Sequence, residues 1–380
     1  MPELARLEDG SLLLSWLEPR AGGGHTLRMA VRRQGTWSEP RTVASDEDVL
    51  LFSASLPAVV PLPGRRGLVA YWELKDHSGP DPFAERITMA VSKDEGRTWS
   101  KPFVLHKDGV PGEHAFVSAF PVADRIGLVW LDARGQRYVP PAPGESQATA
   151  QWLGSVGLFY SSVAVDGRLG PEAVIDPLTC ECCPTAAAVT ARGPLVAYRD
   201  RSPLPSSGEV RYDQNVVRDI YVSRLEGGRW AAPRRVHADD WVFNGCPDNG
   251  PAVAADGGRV AVAWWTSPDG EPAVKVAFSS DAGDTFDPPV RIDEGSGQGQ
   301  VTVSLAGGGA VAGWLEAGKT LARFVSPRGE LGPVAALGPA AHHSRLPRWP
   351  GDGTGLWAAW TEGSEAEGGH RVRLARLRLD

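Results

Sequence analysis

Short apolar runs recur along this chain at a spacing that suits strands. They are Leu12–Trp16, Leu68–Trp72, Gly127–Asp132, Leu195–Asp200, Val260–Trp265, Ala310–Leu315 and Leu356–Trp360. Most end in an aromatic residue or a carboxylate. Each follows a Gly-rich turn and an earlier apolar segment: Leu4–Leu7, Leu56–Val60, Ala119–Val122, Ala186–Val189, Pro251–Ala254, Val301–Leu305 and Ser344–Trp349 in turn. Most then run into a third strand, and a fourth of the form Trp-Ser-x-Pro-x-x-Val. Runs this short, bounded by turn residues, read as strands. Seven copies of a roughly four-stranded sheet read as a β-propeller.

The turns carry a second pattern. Ile87–Val91 leads into Ser92-Lys93-Asp94-Glu95-Gly96-Arg97-Thr98-Trp99, and Ser100–Leu105 leads out. Asp94 can accept from backbone N–H groups further along the turn. Gly96 can take a positive φ without steric cost. Thr98 resumes β-friendly chain, and Trp99 offers a flat face for burial. Ser280-Asp281-Ala282-Gly283-Asp284-Thr285-Phe286 repeats the pattern after Val274–Phe278. Gln34–Pro40 and Gly227–Pro233 are worn copies.

This pattern resembles the Asp-box (BNR) repeat of the sialidase-like β-propellers. The resemblance implies a propeller over nearly the whole chain, and it makes Ser92, Asp94, Gly96, Thr98, Trp99, Ser280, Asp281, Gly283, Thr285 and Phe286 structural turn residues remote from any active site. The family has six blades, whereas the repeats counted here number seven: 2–48, 51–109, 114–178, 180–240, 245–295, 299–338 and 342–380. A six-bladed ring, with the two end copies sharing a blade, is the alternative. The last copy lacks a fourth strand, so that blade is either three-stranded or completed by residues upstream of Met1.

The 380 residues exceed one ordinary core but suit a ring of repeats. The 45 glycines and 32 prolines supply the tight turns such a ring needs. Small residues suit crowded inner strands, and the 14 tryptophans suit the wider gaps between sheets. A net charge of -7 gives no basic footprint for nucleic acid. No apolar run approaches the ~20 residues of a membrane span. Leu12–Leu17 is too short for a signal peptide and follows an acidic stretch. The chain is therefore either cytoplasmic or the mature form of an exported protein. Its resemblance favours a periplasmic or extracellular monomer.

All four cysteines lie just before the first strand of a repeat. Cys180, Cys182 and Cys183 precede the fourth, and Cys246 precedes the fifth. First strands line the channel of a propeller, so neighbouring blades would gather these sulfurs at one mouth. His114 and the His342-His343 pair hold comparable positions in other repeats, and His237 lies just upstream of Cys246. Three readings follow. Disulfides suit an exported protein, with Cys183–Cys246 tying blade four to blade five. Cys180 and Cys182 point the same way in an extended chain; with Cys246 and a histidine they suit zinc or Cu(I). Free thiols are the third reading.

Tyr198-Arg199-Asp200-Arg201 and Arg218-Asp219 fall in one blade. They form either a salt-bridged ladder between adjacent strands or guanidiniums aimed at a substrate carboxylate. Sialidases use three arginines, a Tyr–Glu nucleophile pair and an Asp acid/base. Here their Phe/Tyr-Arg-Ile-Pro signature is absent, and Ser344-Arg345-Leu346-Pro347 is the nearest string. Tyr198, Tyr212 and Tyr221 qualify as nucleophiles only beside a carboxylate. Glu73, Asp132, Glu316 and Glu362 follow the apolar strands, as turn acceptors or as a ring of acids. Long insertions at 134–154 and 201–216 offer places for ligand contacts. Two functions fit: a sialidase-like glycoside hydrolase or glycan binder, taking a glycan or small molecule at the channel mouth, and a metal- or redox-linked propeller with a cysteine site.

Overall fold

Each recurring apolar run is the second strand of an antiparallel sheet. The computed structural model describes residues 2–51, 57–64, 66–146, 150–203, 216–339, 356–362 and 371–377. Blade one is built on Pro2–Arg6, Leu12–Pro19, His25–Arg33 and Arg41–Asp46, and blade two on Ala58–Pro61, Leu68–Lys75, Glu85–Ser92 and Phe103–Val104. Blade three uses His114–Val122, Arg125–Asp132, Gly157–Val163 and Ala173–Asp176. Blade four uses Ala186–Thr190, Gly193–Arg199, Ile220–Glu226 and Arg234–Arg235. Blade five runs from Ala252–Asp256 to Val290–Arg291, and blade six from Gly297–Ala306 to Ala335–Pro339. Leu356–Glu362 and Arg371–Leu377 form a two-stranded sheet.

The architecture is thus an all-β propeller of six full blades, with the two-stranded sheet standing between the sixth and the first. The seventh repeat is reduced to that hairpin among the described residues. Its expected first strand, Ser344–Trp349, lies outside them.

Burial on both faces explains why the second strands read as unbroken apolar runs rather than alternating ones. Leu68–Leu74 is buried at every position. Seven apolar clusters fill the gaps between successive sheets around the ring. Trp72, Trp130, Trp264 and Trp314 sit in four of them, fully buried. Several indoles carry their own acceptor. Trp130 Nε1 donates to Asp132 at 2.8 Å, and Trp314 Nε1 donates to Glu316 at 2.7 Å. Residues two apart on a strand share a face, so a Trp-x-acid pair satisfies the indole locally. Asp132 and Glu316 also accept backbone N–H groups, which makes them turn acceptors.

The two aspartate turns share one hydrogen-bond pattern. Ser92 Oγ donates to Asp94 at 2.8 Å and accepts from Gly96 N–H at 2.8 Å. Asp94 accepts from the N–H groups of Arg97 and Thr98 and from the Thr98 hydroxyl. These bonds hold its carboxyl down at about 2. In the second turn Asp281 plays the part of Asp94 and Thr285 that of Thr98. Here the sequence expectation needs correction. The serine that donates to Asp281 and accepts from Gly283 is Ser279, two residues before the acid, and Ser280 is exposed. Only the i−2 position puts the hydroxyl on the same side of the strand as the turn.

The insertion at 134–154 forms its own hairpin, Gln136–Val139 with Gln151–Gly154. Most of the insertion at 201–216, including Tyr212, lies outside the described residues. Its ends join Val242–Phe243 in a small three-stranded sheet. No helix among the described residues is long and apolar enough to cross a membrane.

Candidate functional site: a cysteine cluster at the channel mouth

The first strands of blades one, four, five and six border a central cavity of about 580 Å³. Pro184 and Gly250 stand at its wall, one residue beyond Cys183 and four beyond Cys246. Gly250 approaches the Pro184 carbonyl so closely that a Cβ there would lie 1.8 Å from the oxygen. The two loops that open blades four and five therefore touch backbone to backbone, and the cysteines ride on them.

Cys182 and Cys246 form a disulfide across sixty-four residues of sequence. The expected link between blades four and five exists, but through Cys182 rather than Cys183. The chain turns at Glu181-Cys182 instead of running extended. Cys182 consequently faces the loop of Cys246, while Cys183 folds back toward Cys180. The Sγ atoms of Cys180 and Cys183 stand 3.0 Å apart, and those of Cys180 and Cys182 stand 3.9 Å apart. All three sulfurs lie within 4.8 Å of one another. Cys180, Cys182 and Cys183 are buried, whereas Cys246 is exposed.

Burial would raise both free thiols. Cys183 is nonetheless held below the usual thiol value, because Cys180 donates its S–H to it and Arg199, the Asn249 N–H and Arg218 face it. Cys180 is pushed well up, by burial first and then by its bond to Cys183 and that sulfur's charge. Of the two thiols, Cys183 is therefore the one that ionises more readily.

The surrounding arginines are spent on the protein itself. Arg199, Arg201 and Arg218 are each 1% exposed or less. Arg199 donates to the carbonyls of Asn249 at 2.8 Å, Trp265 at 2.6 Å and Arg218, and lies over the Trp241 ring. Arg201 and Arg218 converge on one oxygen of Glu181, at 3.4 and 3.3 Å. Arg218 also reaches the Gly245 carbonyl beside Cys246. Asp219 pairs with Arg235 and accepts the N–H groups of Asp240 and Trp241. The expected ladder of Arg199–Asp200 and Arg218–Asp219 pairs is replaced by these contacts. A guanidinium needs several acceptors in one plane when buried, and strand-end carbonyls supply them. Nor do these side chains present a clamp to solvent. Tyr198 is buried and donates to Asp176 at 2.7 Å. Burial raises Asp200 to about 6.

The histidines stand apart from the sulfurs in their bonding. His237 Nδ1 meets Asp239 at 2.8 Å. His342 and His343 lie outside the described residues. His114 belongs to a cluster that sequence reading missed, with His106, Asp108 and Asp132. Its Nδ1 faces the Gly112 and Glu85 carbonyls, and its Nε2 faces Asp108 at 3.0 Å and Asp132 at 3.4 Å. All of these partners are acceptors, so both ring nitrogens carry protons. Burial opposes this charge, but the bonds to Asp108 and Asp132 outweigh it and raise His114 to about 10. An imidazolium has no lone pair for a metal, so His114 is no ligand in this state. The spacing His106-x-Asp108 was the available sequence signal.

No protein-family model matches the sequence, and no curated protein is detectably similar to it. Among solved structures, the K499G mutant of NanB sialidase from Streptococcus pneumoniae is 9% identical over 92% of this chain and 80% of that one, with a TM-score of 0.47. A polysaccharide lyase of family PL25, an ulvan lyase bound to -[GlcA(1-4)Rha3S]-, is 11% identical over 89% and 78%, with a TM-score of 0.48. Trypanosoma rangeli sialidase with the inhibitor DANA is 13% identical over 89% and 56%, with a TM-score of 0.47. Likeness at this level assigns neither ligand nor reaction to this chain.

Proposed function

We propose that this chain is an exported, monomeric propeller that binds a thiophilic metal ion, zinc or Cu(I), through Cys180, Cys182 and Cys183. One observation carries the reading: three sulfurs from one turn converge within 4.8 Å in a buried site. An all-sulfur donor set selects soft or borderline ions. Three sulfurs bonded at ~2.3 Å to one ion stand about 3.8–4.0 Å apart. The Cys180–Cys182 separation of 3.9 Å already fits, and Cys183 would move outward from 3.0 Å. The adjoining cavity gives a path inward. The Cys182–Cys246 disulfide supports export to an oxidising compartment, and Cys182 joins the ligand set once that bridge is reduced to the thiolate. Reconstitution of reduced protein with zinc or Cu(I), followed by elemental analysis, tests this. One ion per chain is expected, falling to none in Cys180→Ser/Cys183→Ser. Reduced wild type that retains no ion after gel filtration would remove the reading.

A second reading has its own observation. Phe83 is 57% exposed at the rim, 5.5 Å from Trp152, which in turn lies 5.2 Å from Tyr138. Trp152 Nε1 also donates to Asp81. Flat aromatic faces beside a carboxylate suit the mixed apolar and hydroxyl surface of a sugar ring. In this reading the protein is a glycan binder or glycoside hydrolase-like propeller. A glycan array and a panel of fluorogenic glycosides, sialosides included, test it. No binding and no turnover would end it.

A further inference from the structure

We propose that Cys246, the exposed partner of the Cys182–Cys246 disulfide, undergoes thiol–disulfide exchange with a small external thiol, and that this exchange switches the three-sulfur site on. The inference rests on the metal reading above.

The four sulfurs are not equivalent. Cys180 and Cys183 are 1% exposed and Cys182 is 9% exposed. Cys246 is exposed, on a loop whose Gly245 takes a positive φ. An attacking thiolate must approach a disulfide sulfur, and access decides which one it strikes. Here the open partner is Cys246. An external thiolate attacks Cys246 Sγ, its new S–S bond forms, the Cys182–Cys246 bond breaks, and Cys182 leaves as a thiolate. A second external thiol then takes the first one off, giving the external disulfide and a free Cys246. In sum, one protein disulfide and two small thiols become two protein thiols and one small disulfide.

The buried leaving group is the one that matters. A disulfide sulfur is a poor metal ligand, because the thiolate is the binding form. In the bridged state the turn offers only Cys180 and Cys183. Cys182 already lies 3.9 Å from Cys180 in the bridged state, so its release as a thiolate supplies a third donor in place. The set then grows from two sulfurs to three without any rearrangement of the blades. The Gly250–Pro184 contact keeps the two loops in register whether or not the bridge is closed.

The test uses the whole chain under anaerobic conditions. Three samples are titrated with Cu(I) against a colorimetric chelator: unreduced wild type, wild type treated with glutathione and desalted, and unreduced Cys246→Ala. Losing an inner ligand costs at least as much as losing an outer-shell partner. The unreduced wild type should therefore bind at least ~10-fold more weakly than the other two, which should agree. Mass spectrometry of a brief glutathione pulse should find the mixed disulfide on Cys246. Glutathione carried on Cys182 would overturn the switch and leave the three-sulfur site standing, whereas equal Cu(I) affinity in unreduced and reduced wild type would overturn the switch and cut the site back to Cys180 and Cys183. Absence of Cu(I) binding in all three samples would remove both the switch and the Cu(I) form of the site. The glutathione-treated wild type guards against a folding defect in the variant.

Discussion

Arg199 donates its Nε to the backbone carbonyl of Asn249 at 2.8 Å, so a buried cation on blade four holds the loop that opens blade five. The same guanidinium serves Trp265 and Arg218. Arg199→Met keeps the volume but strands three buried acceptors, each worth ~1–3 kcal/mol when left unmet. The expected loss of stability is about 3 kcal/mol, read from the urea midpoint. Arg199→Lys should recover only part of it, because one ammonium cannot reach three carbonyls. A loss below about 1 kcal/mol in the methionine variant would show that the carbonyls find other partners.

Ser279 and Ser280 give a paired test of the turn geometry. Ser279 bonds both Asp281 and the Gly283 N–H from a buried position. Ser279→Ala should cost about 1 kcal/mol, whereas Ser280→Ala should stay within about 0.5 kcal/mol. Thermal melts of both variants decide, and equal effects would contradict the assignment.

Stability should fall as pH rises from about 6.5 to about 10. His114 is raised to about 10, so the folded chain holds a proton there that the unfolded chain has released. Its stabilising share is complete below the unfolded value and is lost as pH climbs through the folded one. Half-buried Glu85 and Glu113 act in the same direction. Desolvation and neighbouring carboxylates raise them to about 9 and about 8, so the unfolded chain ionises first. His114→Gln should flatten the alkaline slope measured by denaturant unfolding. An unchanged slope would mean that His114 is not the charged group.

Gly250→Ala should be poorly tolerated. Its Cβ would meet backbone rather than a movable side chain, 1.8 Å from the Pro184 oxygen. Forced shifts of this kind cost typically ~1–3 kcal/mol. The same substitution should weaken Cu(I) retention by displacing the cysteine turn, so the melting temperature and the metal content should drop together. Normal values of both would show that the loops part without cost.

Strand positions were legible from sequence because both faces of each second strand are buried, which leaves a continuous apolar run such as Leu68–Leu74. That the Cys180–Cys183 turn meets Cys246 was legible as well, since ring topology brings the starts of adjacent blades together. The partner within the pair was not. Whether Cys182 or Cys183 faces the neighbour depends on a turn at Glu181 that no alternation rule reveals. The destinations of Arg199 and Arg218 were equally hidden, because their acceptors are main-chain carbonyls and every residue carries one. His106, Asp108 and His114 were within reach, being close in sequence, but the stacking of the two imidazoles at 3.6 Å depends on a blade boundary.

The hairpin Leu356–Leu377 meets blade one through side chains, with Ala359 against Leu4 and Leu14 and the Arg32 guanidinium over Trp357. Among the described residues no strand ladder joins any two successive blades, and the apolar cluster at this seam has three buried members against eleven between blades one and two. Under pulling force or in mild denaturant the molecule should part at this clasp first. The disulfide between blades four and five lies well away from that gap, and it would hold its own sector together after the circle had opened.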